Sequence, residues 1–284
     1  MSKKVINKLL VANRGEISIR IFRAATELKI RTVAVFTHED RYSLHRYKAD
    51  ESYQIGNQEE PLKPYLDIEE LIALAKRVGA DAIHPGYGFL SENVMFARRC
   101  QQEGIIFVGP SPEAMEKLGD KIAAKKIAIK AKVPVIEGAE LKTSNIDEIK
   151  QIASKIGYPV MLKAASGGGG RGMRVVKNEK LLERNYNEAK GEAGKAFNDE
   201  TIFIEKFIDS PKHIEVQILA DEQGNTVHLY ERDCSVQRRF QKVIEVAPCQ
   251  NIKQSTKDKL YNYALSITKS VNYSNAGTVE FLVD

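Results

Sequence analysis

Along the first 110 residues, apolar positions alternate between two spacings. Leu9–Ala12 is a short unbroken apolar run, and Asn13-Arg14-Gly15-Glu16 interrupts it. Ile17, Ile21, Ala24, Ala25 and Leu28 then recur at helical spacing, predicting a helix over Ile17–Leu28. Thr32–Phe36 is β-branched and aromatic, the composition of a strand. Asp67 and Glu70 have the spacing of a capping box, placing a helix over Leu71–Val78. Ala82–His84 reads as a strand, Val94–Glu103 as a helix and Ile106–Val108 as a strand. Strands alternating with helices predict a parallel sheet covered by helices, with ligands at the carboxyl ends of its strands. His84–Asn93 lies just past such an end, and a rigid turn is the favoured role for His84.

Pro110-Ser111-Pro112 stiffens the chain and marks a boundary. Two helical stretches follow, Pro112–Leu118 and Lys121–Ala131, divided at Gly119-Asp120. Beyond Pro134 the pattern becomes antiparallel. Glu200–Phe207, His213–Ala220 and Thr226–Glu231 are short strand-like runs, with a turn at Asp221–Asn225. A helix over Gln254–Ser270 and a strand over Gly277–Val283 complete the pattern. The fold class expected is α/β, in two domains, which the length of 284 residues also suggests.

Between Val160–Lys163 and Met173–Val176, both strand-like, lie five glycines, at 167–170 and 172. So much glycine is costly in backbone entropy unless the backbone must come close to something. Backbone N–H groups closing over an anion such as a triphosphate would need it, and Lys163 stands at the end of the incoming strand. The alternative is a hairpin loop with no ligand. Walker A is excluded because Met173-Arg174 stands where Lys-Ser/Thr is required. A dinucleotide fingerprint is excluded because the glycines lead into a strand instead of a helix.

Composition narrows the function classes further. Net charge is +5, and basic and aromatic residues do not interleave, so nucleic acid is not an expected partner. No apolar run approaches membrane-span length, and no membrane partner is expected. Cys100, Cys234 and Cys249 are sparse, with no C-x-x-C spacing, which suits reduced thiols and a cytoplasmic location.

Charged residues inside apolar strands are the chemical candidates: Lys163, Glu205, Lys206 and Glu280. Burying a charge is expensive unless it is paired or ligand-bound. Glu205 and Lys206 are neighbours, so they point to opposite faces. The segment Glu231–Lys242 holds four basic and two acidic residues. It is suited to a small oxyanion such as carbonate, or else is a solvated loop with internal salt bridges. Cys234 has no obvious base nearby and is expected to be structural.

Leu10–Glu16, His84–Asn93, Lys163–Met173 and Glu231–Lys242 together resemble the biotin carboxylase module of the biotin-dependent carboxylases, in order from about Lys8 to Val283. Leu44–Tyr53 and Ile214–Val236 are most similar to the bacterial pyruvate-carboxylating branch, with acetyl-CoA carboxylase subunits the near alternative. The resemblance implies a Rossmann-like N-terminal domain over 1–115. It also implies an ATP-grasp domain over 116–284, incomplete at its C-terminal end, with a glycine-rich lid at about 135–205. The implied chemistry is phosphorylation of bicarbonate by ATP, then capture of carbon dioxide by biotin on a carrier domain. A carboxyltransferase domain of the parent chain would then make oxaloacetate from pyruvate.

Carried over by motif, Lys121, Lys163, Gly169 and Gly170 meet ATP phosphates, and Glu205, Lys206 and Ile208 hold adenine. His213 meets the ribose, Gln237 and Lys242 face bicarbonate, and Glu280 ligates magnesium or manganese. Phe240 stands beside the nucleotide where the family usually has histidine. A phenyl ring cannot donate that hydrogen bond. The family's second magnesium carboxylate, catalytic arginine and base glutamate lie beyond Asp284, so this stretch alone is expected to be inactive; the alternative is a nucleotide-binding module without catalysis. The parent is expected to be a homo-oligomer.

Overall fold

A computed structural model describes residues 5–57, 60–119, 121–165, 173–197, 199–238 and 241–284, without the side chains of Lys121, Ile122 and Phe197. The glycine-rich stretch Ser166–Gly172 and the pair Arg239-Phe240 lie outside the described residues. The chain forms two compact units, Met1–Gly119 with Asn272–Ala276, and Asp120–Val271 with Gly277–Asp284.

The first unit contains β1 (Lys8–Val11), α1 (Gly15–Glu27), β2 (Arg31–Phe36), β3 (Glu51–Gln54), α2 (Ile68–Val78), β4 (Ala82–His84), α3 (Val94–Gln102), β5 (Ile106–Phe107) and α4 (Pro112–Gly119). Its sheet is parallel, in the order β3-β2-β1-β4-β5. Both faces are buried, which is why its strands read as unbroken apolar runs. Leu10, Val33, Val35 and Ile83 pack with Leu71, Ile72 and Phe96 on one face. Leu9, Val11, Ala34 and Ala82 pack with Ile21, Phe22 and Ala25 of α1 on the other.

The capping box at α2 is only half formed. Asp67 accepts from the Glu70 backbone N–H (3.0 Å), but the Glu70 carboxylate accepts from Gly56 N–H (2.8 Å) instead. Tying down the turn after β3 competes with closing the box.

Strand order reverses between β1 and β4, where α/β sheets commonly bind ligands. Here Asn13, 3% exposed, bridges that point. Its amide donates to the carbonyls of Pro85 (2.7 Å) and Tyr87 (2.8 Å), and its oxygen accepts from Arg14 N–H (2.8 Å). His84 Nδ1 accepts from Gly86 N–H (3.0 Å), and burial pushes the His84 pKa down to about 4. It is a neutral turn residue, as its position predicts. Gly86 has φ +68°, and a Cβ there would lie 2.6 Å from the Asn13 amide nitrogen. Gly86→Ala should therefore cost about 2 kcal/mol of unfolding free energy through backbone strain and a displaced Asn13. An unchanged urea midpoint would show that the turn is not constrained.

The second unit contains α5 (Lys121–Lys130), β6 (Gly138–Glu140), α6 (Ile146–Ile156), β7 (Val160–Ala164), β8 (Met173–Val176), α7 (Leu182–Phe197), β9 (Ile202–Lys206), β10 (Lys212–Ala220), β11 (Thr226–Arg238), β12 (Gln241–Val246), α8 (Gln254–Ser270) and, from Gly277 on, β13 (Asn275–Val283). These strands form two sheets, β6-β9-β7-β8 and β12-β11-β10-β13. Val160, Leu162, Ile202 and Ile204 pack with α6 and α7 residues such as Ile149, Ala153, Leu182 and Ala189. Ile214, Val216 and Ile218 of β10 pack with Leu260, Tyr261 and Ala264 of α8.

Glu231–Lys242 is neither the solvated loop nor the end of a strand that its charges suggest. β11 continues through it to Arg238 and returns as β12, closing at the pair Arg238↔Gln241. Pairing with β10 places Ile214 opposite Asp233 and Val216 opposite Glu231, so the charges sit in an antiparallel ladder.

Candidate active site

The two sheets of the second unit and α5 border a cavity of about 630 Å³. Alternation along β9 decides what enters it. Ile202 and Ile204 belong to the apolar core, which leaves Phe203 and Glu205 on the opposite face. Phe203 pairs with Lys163 across β9 and β7, and Glu205 pairs with Met161. Lys163 and Glu205 both line the cavity and form an ion pair.

A second charged group is centred on Glu215 of β10, whose side chain is 4% exposed. It accepts from Arg232 Nε (2.6 Å) and from the Lys242 ammonium. Lys242 also pairs with Glu280, whose side chain is 65% exposed. Burial works against the Lys242 charge, but hydrogen bonds to Glu215 and Glu280 outweigh it and hold its pKa above the ordinary lysine value. Burial likewise disfavours the Glu215 carboxylate, and hydrogen bonds from Lys242 and Arg232 hold its pKa down. His213 lines the cavity with Glu280, Lys242 and Lys163, and burial lowers its pKa, which favours the neutral imidazole. Apolar lining comes from Ala128, Val133, Ile136, Ile208 and Leu282.

Six of the residues singled out in the sequence therefore share one cavity: Lys163, Glu205, Ile208, His213, Lys242 and Glu280. Lys206 faces away from Glu205, and its ammonium donates to the carbonyls of Gly157 (2.8 Å) and Tyr158 (3.1 Å). Gln237 is outside the lining and donates to the Cys234 carbonyl (2.9 Å). The Lys121 side chain, Gly169, Gly170 and Phe240 fall outside the described residues. Glu215 and Lys125 line the cavity but were not among the candidates. Glu215 carried a usable signal, a charge between Ile214 and Val216 in an apolar strand.

Glu215, Cys234 and Glu245 come within 4.8 Å of one another, a spacing that could suit a metal. Their chemistry does not. Glu215 is already bound by two cations, and Arg232 also reaches Glu245 (3.4 Å). Burial pushes the Cys234 thiol up to about 11, so it is not a thiolate and keeps its structural reading. Glu280, exposed on the cavity wall, offers the donor that suits magnesium, which commonly takes one or two carboxylates and completes its shell with substrate phosphate oxygens.

Residues 5–115 match the family "Biotin carboxylase, N-terminal domain", and residues 120–284 match "Carbamoyl-phosphate synthase L chain, ATP binding domain". The chain belongs to the biotin carboxylase family. It is 56% identical over 283 residues to pyruvate carboxylase of Bacillus subtilis, aligning across 100% of this chain and 25% of that protein. The chain thus spans about a quarter of the length of the curated relatives it matches. The solved biotin carboxylase–βγ-ATP complex from Campylobacter jejuni is 47% identical, with a TM-score of 0.94, over 99% of this chain and 63% of that one. The biotin carboxylase domain dimer of Hydrogenobacter thermophilus 2-oxoglutarate carboxylase, in complex with MgADP, ADP and bicarbonate, is also 47% identical. Its TM-score is 0.93, over 99% of this chain and 62% of that one. The fold is accordingly α/β, with an ATP-grasp-type domain as its second part. Among the described residues no helix is long and apolar enough to cross a membrane.

Proposed function

We propose that this chain carries the ATP- and bicarbonate-dependent carboxylation of biotin, the first half-reaction of a cytoplasmic, homo-oligomeric pyruvate carboxylase. The observation that carries the reading is the single cavity into which Lys163, Glu205, Ile208, His213, Lys242 and Glu280 converge. A bicarbonate oxygen attacks the γ-phosphorus, the bond to the β–γ bridging oxygen breaks, and ADP leaves. The resulting carboxyphosphate breaks down to carbon dioxide and phosphate. The ureido nitrogen of biotin gives its proton to that phosphate and bonds to the carbon dioxide.

Most of the help that residues give phosphoryl transfer is positioning and charge. Lys163 turns from Glu205 to the phosphates. Ile208 packs against the base, beside Glu205, and Lys206 contributes through its backbone because its ammonium is held by Gly157 and Tyr158. The neutral His213 accepts from a ribose hydroxyl, and Lys242 holds bicarbonate; Gln237, outside the cavity lining, joins it on sequence grounds and by giving up the Cys234 carbonyl. Lys121, Gly169, Gly170 and Phe240 complete the nucleotide shell on sequence grounds. Magnesium or manganese, held by Glu280 when bound, neutralises phosphate charge. On the family pattern, an N-terminal domain is assigned to 1–115 and an ATP-grasp domain to 116–284, with its lid at about 135–205. The biotin carrier and carboxyltransferase domains belong to the rest of the parent chain, and oxaloacetate is the final product.

The test uses the full-length protein carrying this chain, with magnesium-ATP, bicarbonate and free biotin. Phosphate release should require bicarbonate. Release at the same rate without bicarbonate would mean that the cavity serves another reaction.

A further inference from the structure

The three lysines and three glutamates lining the cavity are not matched one to one. Lys242 is shared by Glu215 and Glu280, and Lys163 is paired with Glu205. Lys125 of α5, half-buried, forms no hydrogen bond or ion pair among the described residues. Its ammonium stands 5.0 Å from the centroid of the Phe203 ring. Phe203 shares a strand face with Glu205 and is the cross-strand partner of Lys163. Lys125, Lys163 and Glu205 therefore form a local group with two ammonium ions and one carboxylate.

That imbalance has a consequence for any anion entering the cavity. A phosphate that draws Lys163 towards it weakens the ion pair with Glu205. A partly buried carboxylate that loses its counter-charge is costly, and that cost would be subtracted from ligand affinity. Lys125 is placed to remove it. Burial lowers its pKa, and Glu205 is its leading attraction, ahead of Glu137. A cation–π contact with Phe203 is weak enough to be given up for a carboxylate.

We infer that Lys125 is a positioning residue that takes over Glu205 when Lys163 turns to the nucleotide phosphates. This rests on the reading of the cavity as a nucleotide site. Lys125 then governs affinity for charged nucleotides without touching the phosphate chain, and affinity for the uncharged nucleoside does not depend on it.

The experiment is calorimetric titration of the full-length protein with magnesium-ADP and with adenosine. The variants are Lys125→Met, Lys125→Arg, Glu205→Gln and the double variant Lys125→Met/Glu205→Gln. Lys125→Met should weaken magnesium-ADP about tenfold, the scale of one partly screened charge pair, and leave adenosine unchanged. Lys125→Arg should restore binding. In the Glu205→Gln background, Lys125→Met should have little further effect, because the charge it serves is gone. An equal loss in both backgrounds would overturn the inference in favour of direct phosphate contact. Equal losses for ADP and adenosine would reduce Lys125 to a packing role, and unchanged ADP binding would remove it altogether. If the unmodified protein bound no magnesium-ADP, the nucleotide reading would fail first and the inference with it.

Discussion

Lys242→Gln is expected to lower the bicarbonate-dependent ATPase of the full-length protein by about tenfold or more, at least ~1.4 kcal/mol of barrier. The effect follows from the arrangement around its ammonium. Lys242 joins Glu215, 4% exposed, to Glu280, 65% exposed, and is itself 32% exposed. Its pKa is held up by those partners against burial, so it is a cation at pH 7. Glutamine has similar reach but no charge. Two carboxylates would then face each other with only Arg232 behind Glu215, and an anion approaching the site would meet net repulsion. Bicarbonate KM should therefore rise along with the fall in kcat, whereas ADP affinity should change little. Lys242→Arg should recover part of the activity because it restores the charge. Normal turnover in a Lys242→Gln variant with an unchanged melting temperature would remove Lys242 from the bicarbonate side of the cavity.

How far the sequence could be read depended on whether a residue's environment is set locally. The strands at Thr32–Phe36 and Ala82–His84 were legible because both faces of the parallel sheet are buried. Gln254–Ser270 was legible from end to end as α8. β11 was cut short at Glu231 because Arg232, Asp233 and Arg238 look like a loop until β10 supplies their cross-strand partners. The opposite faces of Glu205 and Lys206 followed from strand alternation alone. That Lys206 is occupied by the carbonyls of Gly157 and Tyr158 did not, because those groups lie 49 and 48 residues away. Glu215 carries the same signal as Glu280, a charge flanked by apolar residues in a strand. Lys125 had no signal of its own: on α5 it is one lysine among Lys121, Lys126 and Lys130, and only tertiary structure reveals that it lines the cavity.

Glu215→Gln is expected to destabilise the fold by about 2 kcal/mol at pH 7, and the loss should shrink in acid. Removing one member of a buried ion pair costs about 3–5 kcal/mol when its partner is fully buried. Arg232 and Lys242 are 26% and 32% exposed, so water recovers part of that cost and the lower figure is appropriate. Glutamine preserves shape and one acceptor, which separates the charge from the packing. The pH dependence follows from the lowered pKa of Glu215 in the folded chain. A depressed carboxyl pKa contributes stability that is fully present above its unfolded value, about 4.3. That stability declines as the pH falls below the unfolded value and is lost once the pH passes below the folded one. Asp40 and Asp233, each lowered to about 2, and Glu231, also lowered, add acid sensitivity of the same sign. They are present in both proteins, so the difference between wild type and Glu215→Gln isolates Glu215. Urea unfolding at pH 7 and at about pH 3 measures it, with the gap between the two proteins narrowing at the lower pH. A gap that stayed constant would mean that Glu215 acts through packing alone, and that the orientation of Lys242 does not depend on its charge.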